Sequence, residues 1–339
     1  METLKKESYP IHISNKSFID FDINTYSKCA IIVDENTRKS CLSLLVRKNV
    51  NLEKAKIIEI NSGEKNKNIL ICQEIWKQLS DNSFDRNSLI INLGGGVVCD
   101  IGGFAASTYK RGVDFINIPT TLLAMTDASF GGKVGVNFNN YKNQIGVFNN
   151  PIFVFIYIKF LDTLERKHLL SGFAECIKHA LIFDRKYWNE LLEIDLENAN
   201  WKRIITQSIY IKNTIVEKDP FDKGLRKILN FGHTFGHAIE SFYLSKNQEI
   251  LHGEAVALGI IIESELSKLS QNEKNSIKTF IKKIYPQLSI PKIQDLKSWI
   301  FNDKKNLYNK ISLSLLDGIG KCSIDNYKEW NEIQNQSSY

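Results

Sequence analysis

The first half of the chain repeats short apolar bursts separated by amphipathic stretches, and this alternation restricts the fold more than any other feature. CAIIVD (29–34), AKIIEI (55–60), SLIINL (88–93), DFINIP (114–119) and IFVFIYI (152–158) read as buried strands. CLSLLVRKN (41–49) and ILICQEIWKQLSD (69–81) read as helices between them. Strands alternating with helices predict a parallel sheet with right-handed crossovers, a Rossmann-like α/β domain. Beyond about residue 163 long helical patterns take over: LERKHLLSGFAECIKHALI, KRIITQSIYIKNTIVEKD, NFGHTFGHAIE and HGEAVALGIIIESELSKLS. The 339 residues suit about two domains. The reading is an α/β domain over 1–163 and a mostly α-helical domain over 164–339, closely packed around a cleft because no low-complexity linker separates them.

Composition narrows the class. Hydrophobic residues make up 43% and charged residues 24%, ordinary for a globular protein, and the net charge is a modest +6. No basic run is interleaved with aromatics, so a nucleic-acid partner is not expected. The six cysteines form no C-x-x-C pair, which fits reduced thiols in a cytoplasmic protein. The polar start METLKKESYP has no apolar core of a signal peptide, and IFVFIYI is too short to span a bilayer, so no membrane association is expected.

Four stretches carry chemistry. LGGGVVCDIGG (93–103) follows a strand and opens a helix, a place where backbone amides meet a phosphate. It departs from G-x-G-x-x-G, because Cys99 holds the third glycine's place. PTTLLAMTDASFGGKVGVNFNNYKN (119–143) concentrates Thr120, Thr121, Asp127, Lys133, Asn137, Lys142 and Asn143 among glycines. A solvated loop is the bland alternative, but small and apolar residues bracket the polar ones. GFAECIKHALI sets Glu175 and Lys178 three apart on one helical face. Such a spacing is usually a surface ion pair, yet the neighbours here are apolar, and His179 lies off that face. NFGHTFGHAIE sets His233 and His237 one helical turn apart, and His252 follows. Glu, His and His with an open fourth position is a catalytic-zinc ligand set. Spacing alone favours His233 and His237 both as ligands, with His252 or Glu175 third, but it cannot choose among the four.

GGGVVCDIGGFAASTYKRG, FINIPTTLLAMTDASFGGKVGVN, KNQIGVFNNP, GFAECIKHALI, GLRKILNFGHTFGHAIE and HGEAVALG, in this order, closely resemble the 3-dehydroquinate synthase family. The resemblance spans nearly the whole chain. It implies metal ligands at Glu175, His233 and His252, with His237 facing the substrate and its phosphate. It implies NAD contacts at Asp34, Asn36, Glu64, Lys67, Gly95, Gly96, Val97, Asp100, Thr120, Thr121, Asp127, Phe160 and Thr163, with Lys133 and Lys142 beside the cofactor. It implies catalytic or substrate roles for Arg111, Asp127, Lys133, Lys142, Asn143, Lys178, Lys212, Arg226, Asn230 and His237, and for Lys304 or Lys305. The implied reaction converts 3-deoxy-D-arabino-heptulosonate 7-phosphate to 3-dehydroquinate and phosphate, with NAD and Zn²⁺ or Co²⁺, in a cytoplasmic homodimer. The sequence departs from the pattern at Tyr157 (commonly Asp), at Pro220 (frequently Glu), at Tyr141 beside Lys142 (usually Gly), and in LERKH (164–168). Three other readings stay open: another sugar-phosphate cyclase, a metal-dependent polyol dehydrogenase, and a non-catalytic binding protein.

Overall fold

The computed structural model describes residues 1–4, 9–18, 22–139, 141–301 and 310–336. Its contacts divide the chain into two units, Met1–Glu165 and Arg166–Tyr339.

The first unit is built on a seven-stranded sheet. In chain order its strands are β1 (Glu2–Leu4), β2 (Ile11–Ser14), β3 (Cys29–Asp34), β4 (Lys56–Ile60), β5 (Leu89–Gly94), β6 (Asp114–Pro119) and, after a separate hairpin of β7 (Lys133–Phe138) and β8 (Tyr141–Phe148), β9 (Phe153–Tyr157). Across the sheet they run β1-β2-β9-β6-β5-β3-β4. All pairings are parallel except β1 with β2. The central strands are buried on both faces, β5 at every position and β3 at all but its last. The helix Ile69–Asp81 follows its periodicity, burying Ile71, Cys72, Ile75 and Leu79, and the Asn68 side chain caps its first amides.

Strand β3 has β4 on one side and β5 on the other. The chain steps outward to β4 and then returns past β3 to β5. That reversal opens a crevice at the carboxyl ends of β3 and β5, the usual ligand position in an open parallel sheet.

The second unit carries the helices Arg166–Phe183, Trp201–Lys218, His233–Ser245, His252–Glu265 and Gln271–Ile284, with shorter ones between and after them. Its apolar cluster includes Phe235, Ile239, Leu258, Ile262, Leu296 and Leu313. Helices dominate it as the patterning predicts. It also contains an antiparallel hairpin, β10 (Ile311–Gly318) with β11 (Lys321–Lys328), which the helical reading leaves out. No helix among the described residues is long and apolar enough to cross a membrane.

Candidate active site

Two groups of the residues singled out by sequence come together, one in each unit. In the first unit the carboxyl ends of three neighbouring strands deliver Asp34 (β3), the Gly95–Gly96 turn (after β5) and Thr120–Thr121 (after β6) to one edge of the sheet. The Asp34 carboxylate accepts from the Thr37 amide at 2.7 Å and fixes the turn leaving β3, with Asn36 exposed in that turn. The helix Gly96–Thr108 begins directly at the turn, with Gly95 as its N-cap. No side chain caps it, so its first amides, Val97 among them, are presented as anion donors. A Cβ on Gly95 would lie 3.1 Å from Thr121 Cγ2, so this backbone is in contact with its neighbour. The later glycine of the motif has another purpose: a Cβ on Gly102 would fall 1.8 Å from Asn92 Oδ1. Asn92 and Asn117 link β5 to β6 by a buried 2.9 Å hydrogen bond, and Gly102 makes room for it.

Next to the turn a polar network forms. Lys67, 4% exposed, pairs with Asp100 and donates to Asn143 Oδ1 at 2.6 Å. The Asn143 amide donates to Asn137 Oδ1, and the Asn137 side chain donates to Glu64 Oε1, both at 2.8 Å. Asn143 is held at a φ of +50°. Glu64, Lys67, Asp100 and Asn143 are thus one connected set, although the resemblance divides them between cofactor and substrate. The stretch 119–143 is more than a loop: Lys133 opens β7, which pairs with β8. Lys133 and Lys142 are exposed on this hairpin, and Asp127 lies in a wide helical turn over Ala124–Ala128.

Three positions in this unit stand apart from the glycine turn. Arg111 follows the far end of the Gly96–Thr108 helix and precedes the amino end of β6, at the opposite edge of the sheet from the glycine turn. A helix of that length separates them by roughly 20 Å, so this unit does not bring Arg111 to the other candidates. Phe160 is 3% exposed and packs its ring on Phe18 and Tyr157, and Thr163 beyond it is exposed. Tyr157, where the pattern commonly has Asp, is buried in that same aromatic group.

The second unit concentrates charge in its core. The Arg166–Phe183 helix buries Glu175 and Lys178 almost completely, and they pair with each other, so this is no surface ion pair. His179 is fully buried as well. Glu175 Oε1 has no hydrogen-bond donor. His233 Nε2 lies 3.5 Å and His252 Nε2 3.9 Å from it. His233 Nδ1 is 3.2 Å from the Phe231 carbonyl, and His252 Nδ1 is 3.4 Å from the Glu240 carboxylate. A carbonyl and an ionised carboxylate can only accept. Nδ1 of each imidazole is thus placed to donate, and each ring turns its Nε2 toward Glu175. Burial, reinforced by the Lys178 ammonium and the neighbouring imidazoles, holds the His233 pKa well below its ordinary value, so the ring stays neutral. Two lone pairs and a carboxylate oxygen without a donor facing one point fit a divalent cation. His237 stands 5.4 Å from His233, ring centre to ring centre, with the planes nearly perpendicular, and the coordinating atoms of His233, His237 and His252 all lie within 4.8 Å of one another.

The local sequence explains this convergence. Gly232, at a φ of +80°, turns the chain into the His233–Ser245 helix. A Cβ there would lie 2.6 Å from Ile260, and one on Gly259 would lie 2.0 Å from the Gly232 carbonyl. These glycines let the two histidine-bearing helices touch backbone to backbone. The buried Glu263 carboxylate then accepts from the amides of Gly232, Thr234 and Phe235, capping the first helix from the second. Gly253 rests on the Arg166–Phe183 helix, with its amide donating to Ser171 Oγ.

Lys212 and Arg226 are also buried in this unit, and Asn230 is half-buried. Arg226 Nη1 donates to the Pro220 carbonyl, so the departure from Glu at 220 leaves this contact to the backbone. Lys304 and Lys305 lie outside the described residues. Glu240 and Glu263 go unread in the sequence. Glu240 carried a signal, since positions 233, 237 and 240 share a helical face.

Residues 57–171 match the family model described as 3-dehydroquinate synthase N-terminal, and residues 172–306 match the C-terminal one. A 3-dehydroquinate synthase of Parabacteroides distasonis is 42% identical over 309 residues, covering 88% of this chain and 87% of that protein. One from Campylobacter jejuni subsp. doylei is 38% identical, covering 95% and 93%. Among solved structures, 2-epi-5-epi-valiolone synthase from Streptomyces hygroscopicus subsp. jinggangensis, with NAD⁺ and Zn²⁺ bound, superposes with a TM-score of 0.88 at 24% identity over 99% of this chain and 97% of that one.

Proposed function

The chain belongs to the 3-dehydroquinate synthase family, and from that premise we propose that it is a lyase converting 3-deoxy-D-arabino-heptulosonate 7-phosphate to 3-dehydroquinate and phosphate. The observation that carries the reading is the meeting of His233 Nε2 and His252 Nε2 at the donorless Glu175 Oε1. Glu175, His233 and His252 would hold Zn²⁺ or Co²⁺, and the glycine turn with Asp34 and Thr120–Thr121 would hold NAD. When bound, the metal polarises a substrate hydroxyl or carbonyl, and the nicotinamide accepts a hydride and later returns it.

The protein's own groups do the rest. Lys178 neutralises Glu175 in a site of low polarity and keeps its free oxygen aimed at the two imidazoles. Lys212 and Arg226 offer buried positive charge to a substrate bearing a carboxylate and a phosphate. Arg226 can grip a planar carboxylate with two donors, which a lysine cannot do. Asn230 and His237 can hydrogen-bond phosphate oxygens. Lys133, Lys142 and Asn143 act from the β7–β8 hairpin. Asn143 is tied through Lys67 to the turn that would carry the cofactor, which supports a role at both ligands.

The reading includes a cytoplasmic homodimer, and sedimentation at micromolar concentration checks the oligomeric state. The deciding assay follows phosphate release from the heptulosonate phosphate with catalytic NAD⁺ and Zn²⁺, with and without chelator. Chelator-sensitive release yielding 3-dehydroquinate without net NADH is expected. NADH accumulating with a polyol, and no phosphate release, would overturn the reading in favour of a dehydrogenase.

A further inference from the structure

We propose that Glu240 is a positioning residue for His252. It holds the proton on Nδ1 and so commits Nε2 to the metal. The inference rests on the metal reading above but concerns a residue outside the ligand set. Glu240 lies on the His233–Ser245 helix, seven residues after His233 and three after His237, on the face that carries both. Its carboxylate reaches the neighbouring helix and lies 3.4 Å from His252 Nδ1. His252 begins that helix and is 28% exposed, and its other nitrogen looks toward Glu175.

The need for such a residue follows from how differently the two imidazoles are held. His233 is nearly enclosed, at 12% exposed, and the Phe231 carbonyl in its own chain segment fixes its Nδ1 proton. His252 likewise opens a helix, but its Nδ1 meets the Glu240 carboxylate from the neighbouring helix instead of a carbonyl of its own segment. Unrestrained and partly open to water, the ring could rotate or exchange tautomers, and either change takes the Nε2 lone pair away. An ionised carboxylate at Nδ1 prevents both. It accepts the Nδ1 proton, and its charge makes Nε2 a better donor to a cation. The contact also joins the two helices at the end opposite Glu263, so one carboxylate fastens each end of the histidine-bearing pair. Glu240 is itself only 15% exposed. That raises the strength of the contact by keeping water from competing for it.

The test uses the full chain with Glu240→Ala and Glu240→Gln, beside His252→Ala. Zinc affinity is measured by chelator competition, and the His252 tautomer by ¹⁵N resonances of the imidazole in the chelated protein. Glu240→Ala is expected to weaken zinc by about 10–100-fold and to populate the Nε2–H form. Glu240→Gln, whose amide oxygen can still accept from Nδ1–H, should keep the tautomer and recover part of the affinity. A helix-packing role alone would not move the tautomer. Wild-type affinity and an unchanged tautomer in Glu240→Ala would overturn the proposal while leaving the metal reading intact. Zinc binding by His252→Ala as tight as wild type would remove the metal reading and this inference with it.

Discussion

The two units build their candidate sites by opposite means. At the carboxyl edge of the sheet the ligand-facing surface is mostly backbone: a glycine turn, uncapped helix amides and the ends of three strands. In the helical unit it is side chain, with a carboxylate, two imidazoles and a buried lysine drawn from three helices. Backbone sites are specified by local sequence, since a turn needs only its own residues. Side-chain sites depend on how helices pack, so residues that bind nothing, such as Gly253, Gly259 and Glu263, decide whether the site exists at all.

The sharpest break in that comparison is Glu175→Gln. It removes the carboxylate and leaves Lys178 buried without its counter-charge. Loss of metal polarisation worth several kcal/mol should cut kcat by on the order of 10³-fold. Phosphate release with zinc in excess measures it, and a variant within tenfold of wild type would dismiss Glu175 as a ligand. Gly253→Ala comes next and touches no ligand. Its Cβ would lie 1.8 Å from the Ser171 carbonyl oxygen, so the helix that begins with His252 must shift. A displacement near 1 Å should cost on the order of 10²-fold in kcat. Wild-type turnover here would mean the helical site tolerates repacking, and the contrast with the sheet edge would weaken.

At the sheet edge Gly95→Ala adds a methyl group beside Thr121 where a dinucleotide would approach. The KM for NAD should rise roughly tenfold, about 1.4 kcal/mol, with kcat and thermal stability little changed. An unaltered KM would place the cofactor elsewhere. The smallest effect is on stability against pH in the metal-free chain. Unfolded, His233 takes up a proton near 6.5, but in the folded chain it does so only at distinctly lower pH. Between these values the unfolded chain holds the extra proton. Stability is therefore full above about 6.5 and falls on acidification, by up to about 1.4 kcal/mol per pH unit, until the folded group titrates as well. Urea denaturation of chelated wild type and His233→Asn at several pH values should show a shallower slope in the variant; equal slopes would refute the burial argument.

Legibility in the sequence follows the same division. The 69–81 helix and β6 were readable to the residue, because each buries a regular face or run and is punctuated locally. The β7–β8 hairpin was not. All of β8 is exposed except half-buried Ile145, so no buried face imposes an alternation of apolar and polar residues. In β10 the stretch ISLSL does alternate, yet the surrounding helical texture masked it. Arg111 shows that proximity in a motif is not proximity in space: a helix carries it to the far edge of the sheet.

By itself the sequence determined the α/β and helical units, the glycine turn after β5 and the short roster of titratable residues, since periodicity and turn chemistry are local properties. It could not show that Glu175, His233 and His252 meet at one oxygen, that Glu240 and not a backbone carbonyl holds His252, or that Gly102 serves packing and not a ligand. Those facts come from contacts between helices and strands distant in the chain. Their distances are fixed by which backbones can touch, and only the folded structure decides that.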